Sequence, residues 1–125
     1  MRSRGPWLIL AGGCGFAAVA LGAFGAHGLE RTLGPRGMTL WETATHYLMF
    51  HVGALAITGL LDRQWTSRLL NLSGAAFLSG IVLFSGSLYL LALTDLKWMG
   101  MITPLGGLSF LAGWAMLALA VYQSP

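Results

Sequence analysis

A chain of 125 residues that is 56% hydrophobic and 9% charged, with a net charge of +3, is not a soluble globular domain, where about a quarter of residues are charged. Seven Lys or Arg and four Asp or Glu cannot coat a water-facing surface, and the basic residues are dispersed between apolar runs, which excludes a nucleic-acid binder, a soluble enzyme and a disordered tail. Four membrane helices of about 20 residues each fit the length and leave only short connections.

The first apolar run spans residues 6–26, behind Arg2 and Arg4. Its basic start and the small residues Ala23, Gly25 and Ala26 imitate a signal peptide, but the run is longer than a usual signal core, so it is read as a retained helix. A polar stretch from His27 to Thr39 follows, with Gly34-Pro35-Arg36-Gly37 as a turn signal. Thr39 and Glu42 then form a capping box for a second span over 40–61. The third span covers 69–93, between Arg68 and Asp95. Trp98 anchors the following segment at the interface. Thr103-Pro104 is an N-cap and first-turn pair for a fourth span over 104–122. Four spans place both termini on the same side. Arg2, Arg4, Arg63 and Arg68 fall there, against Arg31, Arg36 and Lys97 opposite, which puts the termini in the cytoplasm. The fold class is all-α: an integral membrane four-helix bundle with short loops, one membrane domain over residues 1–125.

Eighteen glycines need a reason, since glycine weakens isolated helices. Ala11, Gly15, Ala18, Gly22 and Ala26 make one small-residue stripe. Ser73, Ala76, Gly80 and Ser87 make a second, and Gly106, Ser109, Gly113 and Ala120 a third. Such stripes let helix backbones approach where lipid supplies no hydrophobic drive. They predict a tight bundle, with one stripe free to face a partner or a second copy.

Polar groups inside the spans are few. No Lys, Arg or Asp lies at mid-span, and Glu42 sits at a helix start, which argues against carboxylate-driven transport. His46 and His51 diverge by about 140° around their helix, so they do not share a metal. Tyr47 and His51 share a face, and Asn71, Ser85 and Tyr89 form a polar line on the third span. Each histidine reads first as a neutral imidazole hydrogen-bonded between helices. Met99 and Met101 read as apolar filler. Cys14 is the single cysteine and forms no intramolecular disulfide. No phosphate loop, CxxC motif, catalytic triad or carboxylate pair is present, so no catalytic residue, metal site or cofactor is assigned.

Four segments together resemble one family: Gly22-Ala23-Phe24-Gly25-Ala26-His27-Gly28-Leu29, Tyr47-Leu48-Met49-Phe50-His51, Phe84-Ser85-Gly86-Ser87-Leu88-Tyr89, and Thr103-Pro104-Leu105-Gly106-Gly107. The chain is similar to the YgdD-like small inner-membrane proteins of bacteria, domain of unknown function 423, which have a transmembrane relative in animals. The resemblance implies a four-helix protein of the bacterial inner membrane with no agreed catalytic residue. It places His27, Tyr47, His51, Ser85, Ser87, Tyr89 and Thr103 in motif positions, as candidates for ligand binding or a polar network, and leaves His46 outside the pattern. The expected function is non-enzymatic: an accessory or assembly component of a membrane complex, or a homo-oligomer, with the lipid bilayer as its surroundings. Two alternatives stand beside it. One is a channel or transporter for a neutral or weakly charged solute, lined by Tyr47, His51, Ser85 and Tyr89. The other is a lipid, quinone or haem site between helices.

Overall fold

The computed structural model describes residues 5–125; Arg2 and Arg4, which carry half of the basic charge expected on the terminal side, lie outside them. The described residues contain helices and no strands. Helix α1 (Trp7–Gly28) is joined to α2 (Glu30–Gln64) through the single residue Leu29, and α3 (Arg68–Gly80) continues through a π-helical turn, Ile81–Ser85, into α4 (Gly86–Thr94). A 3₁₀ turn, Lys97–Met101, leads into α5 (Thr103–Tyr122). Four rods result, each long and apolar enough to cross a membrane: Trp7–Gly28, Glu30–Gln64, Arg68–Thr94 and Lys97–Tyr122. As expected from the sequence, the architecture is all-helical with four such helices.

The polar stretch before the second span is not a loop. It folds into the start of α2, and the turn signal acts inside it. Gly34 adopts φ 71° and ψ 179°, a backbone conformation that a Cβ disfavours, and Pro35 then opens the straight part of the helix, where its missing N–H costs nothing. Thr39 consequently lies a full turn inside the helix and donates its hydroxyl to the Pro35 carbonyl at 3.0 Å. The expected capping box at Thr39 and Glu42 is therefore absent, because the helix has already begun at Pro35. Gly34→Ala is expected to destabilise the bundle by about 1–2 kcal/mol, measured as a lower midpoint in thermal unfolding in detergent. An unchanged midpoint would show that the break at Gly34 is not needed.

At the other helix ends, local chemistry explains the stops. Ser67 caps α3 by accepting the Leu70 amide at 3.4 Å. Asp95 ends α4 in the left-handed region with φ 56°, which Asp tolerates better than most residues. Its carboxylate meets the Arg36 guanidinium at 3.1 Å on the exposed surface, tying the end of α4 to the start of the straight part of α2. At the opposite end of α2, buried Asp62 accepts the Gly5 amide at 2.7 Å.

Helix α2 is central: α1 packs on it, as does the α3–α4 rod, and α5 packs in turn on α3 and the π-helical turn. The small-residue stripes largely face inward. Phe77 lies over Gly113 and Phe110 over Gly80, while Ser73 donates to the Gly113 carbonyl at 2.9 Å and Ser109 to the Ala76 carbonyl at 2.7 Å. The second and third stripes are thus one internal seam. Along α1, Ala11 and Ala18 are buried, and Gly15 and Gly22 stand close to Val52 and Thr45 of α2. Gly25, off that stripe, receives the ring of Trp41. Contact of this kind stabilises by close dispersion packing, since apolar surface is already at home in lipid.

Candidate functional site

Most polar groups in the bundle close upon one another. Trp41, buried, donates its indole N–H to the Leu21 carbonyl of α1 at 2.9 Å and lies edge-on to Tyr89, with ring centroids 4.5 Å apart. Thr45 donates to the Trp41 carbonyl at 3.0 Å; its oxygen, 2.7 Å from the Tyr89 hydroxyl, therefore accepts from it, because Thr has one proton to give. Ser85 donates to the Ala44 carbonyl at 2.8 Å. Ser87 reaches the Phe84 carbonyl at 3.0 Å and the Thr103 hydroxyl at 2.6 Å. Thr103 also lies 3.4 Å from the Met99 carbonyl, so it ties α4 to the turn before α5 instead of capping α5, the role expected from sequence. In a low-dielectric interior such satisfied groups fix helix positions and leave little polarity over.

His51 belongs to this closed set. Its side chain is buried, with Nδ1 2.8 Å from the Tyr47 carbonyl, and the Trp114 indole N–H donates to its Nε2 at 3.1 Å. Indole N–H only donates, so Nε2 is the acceptor and the ring proton is on Nδ1: a neutral imidazole with both nitrogens engaged. The ring also stacks on Phe110, centroids 3.5 Å apart and planes 7° from parallel. The imidazole thereby joins α2 to α5.

Outside this closed set, α2, the π-helical turn and α5 enclose a groove of about 860 Å³. Its walls are aromatic and aliphatic, chiefly Tyr47, Phe50, Phe84, Phe110 and Trp114, with Leu108 and Leu111 along one edge. The π-helical turn presents Phe84 to the groove while Ser85 faces α2. Phe50, Leu108 and Leu111 are exposed, so the groove opens on the outside of the bundle. Two polar side chains reach it without a hydrogen-bond partner among the described residues: the exposed imidazole of His46 and the hydroxyl of Tyr47, whose ring packs 4.4 Å from that of Phe84. A mostly apolar concavity with a few polar groups is the usual form of a small-molecule site.

The model of the family described as "Protein of unknown function (DUF423)" matches residues 21–107, more than half of the chain. The chain belongs to the DUF423 family. Relatives of it are membrane proteins. A UPF0382 membrane protein of Staphylococcus haemolyticus is 45% identical over 80 residues, 64% of this chain and 65% of its own. One from Haemophilus influenzae is 41% identical over 86 residues, 66% of each chain, and one from Bacillus subtilis is 40% identical over 70 residues, 55% of this chain and 57% of its own. The matched stretches span less than two thirds of these relatives' length. No solved structure matches the chain. Within this DUF423 protein the family match covers the α2 wall of the groove, with Phe84, Pro104 and Gly107, and stops before Phe110 and Trp114.

The structure distributes the sequence candidates over three places. Tyr47 and His51 line the groove. Ser85, Ser87, Tyr89 and Thr103 are engaged in ties between helices or turns, away from it. His27 is exposed in the last turn of α1, also away from it. Tyr47, His51, Ser85 and Tyr89 therefore do not line one common path. His46 lies outside the sequence candidates, and so do Trp114, Phe110, Trp41 and Thr45. The signal for His46 was its 140° divergence from His51, which means that when one faces the core the other cannot.

Proposed function

We propose that this DUF423 protein is a non-enzymatic multi-pass protein of the bacterial inner membrane, with its termini in the cytoplasm, that holds an apolar membrane-resident small molecule in the groove between α2, the π-helical turn and α5. One observation carries the reading: the groove is built of bulky rings, chiefly Tyr47, Phe50, Phe84, Phe110 and Trp114, and yet left open. Its volume of about 860 Å³ falls in the 300–1,000 Å³ range of small-molecule sites.

The expected role as an assembly component would seat a partner's helix in the same place. Membrane helices meet through small residues that let backbones approach. Here the small residues of α3 and α5 already face each other, and the groove is lined by rings. The transport alternative has less support, because most of its proposed lining is closed in hydrogen bonds.

Native mass spectrometry of the full chain, purified in mild detergent from its own membranes, tests the reading. A chain carrying an adduct of a few hundred daltons is expected. A co-purifying polypeptide lost on changing Leu108 or Leu111 to Ser would establish the assembly role instead, and a bare chain under the gentlest release conditions would overturn ligand binding.

A further inference from the structure

We infer that His46 recognises the head of the groove's ligand, and that this ligand is a neutral, planar, carbonyl-bearing ring with a hydrocarbon tail, of the isoprenoid quinone class. The inference rests on the groove reading above and adds the chemistry of the occupant.

The Arg36–Asp95 ion pair is exposed at one end of the bundle, and Asp62 with Arg63 stands at the other end of α2. At 1.5 Å per residue, His46 lies about 15 Å along the axis from Arg36 and about 24 Å from Asp62. Centring an apolar layer of about 30 Å between these ends puts His46 roughly 10 Å inside it. A polar side chain at that depth costs free energy unless something satisfies it. His51, one and a half turns further on, is satisfied twice over; His46 has no hydrogen-bond partner among the described residues and stands at the edge of the groove, between it and a smaller cavity lined by Glu42, Thr45 and Met49.

Depth also selects among ligands. A phospholipid keeps its charged head outside the hydrocarbon layer, so it would set acyl carbons, which form no hydrogen bond, against the imidazole. A neutral ring bearing carbonyl oxygens enters the layer. There it accepts from the His46 N–H, while its face lies against aromatic rings such as Phe50 and Phe84 in offset or tilted contact. The Tyr47 hydroxyl offers a second donor beside it. The tail then follows Leu108 and Leu111, whose exposed side chains continue the groove along α5.

The test measures retention of decylubiquinone by the full chain in mild detergent, using size exclusion and ultraviolet absorbance, with dioleoylphosphatidylglycerol as the competing probe. Wild type is expected to retain the quinone in preference to the phospholipid. His46→Leu is expected to weaken retention about tenfold, the size of one lost hydrogen bond, and His46→Gln, which keeps a donor and an acceptor, to restore most of it. His46 is exposed, so an unchanged elution position shows that these variants fold. Gly107→Phe is the control for the groove itself. A Cβ at Gly107 meets only the Phe84 ring at 3.9 Å, so a larger side chain starts into the groove from open space; retention is expected to vanish, with an elution position like that of wild type showing that the helices stay together. Equal retention by wild type and His46→Leu, with loss in Gly107→Phe, would overturn the head assignment and leave the groove reading standing. Preference for the phospholipid, or no retention of quinone by wild type, would likewise overturn the head assignment alone. Full retention by Gly107→Phe would overturn both.

Discussion

Gly106→Ala is expected to push α5 away from the π-helical turn and to destabilise the bundle by about 3 kcal/mol, the upper end of overpacking costs. A Cβ on Gly106 would lie 2.7 Å from the Phe84 Cα and closer still to the Phe84 amide nitrogen. Real Cβ atoms do not approach so near, and the obstruction is backbone, so no rotamer change relieves it. The helices themselves must separate, and the seam formed by Ser73, Phe77, Ser109 and Gly113 loosens with them. Gly107→Ala, one residue on, meets ordinary contact distance and is expected to leave stability nearly unchanged. Thermal or denaturant midpoints of the two variants in one detergent provide the comparison. Equal midpoints would show that α5 does not pack on Phe84 through Gly106.

His51→Ala has the second largest expected effect, a loss of about 3 kcal/mol, from two sources. Truncation leaves a cavity against Phe77 and Phe110, and it leaves the Trp114 N–H without its acceptor. Trp114→Phe alone removes the donor and is expected to cost about 1 kcal/mol. The double variant should cost measurably less than the sum, because the unsatisfied indole is then gone as well. Strict additivity in the double-mutant cycle would contradict the direct bond. Since His51 already uses both nitrogens, it is one of the ties that shape the groove, and His46 is left for contact with the occupant.

The four rods were legible because hydrocarbon thickness dictates length, and length is visible as apolar runs. The seam between α3 and α5 was legible too, since Ser73, Gly80, Gly106 and Gly113 recur at helical spacing. What was hidden follows from the same physics. In a soluble helix the inward face is the apolar one; in a bilayer both faces are apolar, so the sequence does not say which side of α2 is inward. His46 and His51 could be seen to diverge, but only the neighbouring Trp114 and Phe110 show that His51 faces in. The π-helical turn at Ile81–Ser85 was also unreadable: no Pro or unusual run of residues marks it, and its five residues look like ordinary helix. Nothing in the sequence marks Asp62 as buried, because a partner such as Gly5 is far away along the chain. The Thr39 cap failed because Gly34 and Pro35, read as a loop turn, in fact start the helix.

The most direct test of the central claim, that the aromatic groove holds a small molecule, is nuclear magnetic resonance of the isotope-labelled full chain, purified from its own membranes and placed in bilayers of perdeuterated lipid. Protons of a retained molecule would then be the main non-protein protons near the rings. Cross-relaxation is expected between such protons and the side chains of Tyr47, Phe110 and Trp114, and none at Ile9 and Phe16, which are exposed on α1. Rings in the groove that show no more contact with non-protein protons than Ile9 and Phe16 would contradict it.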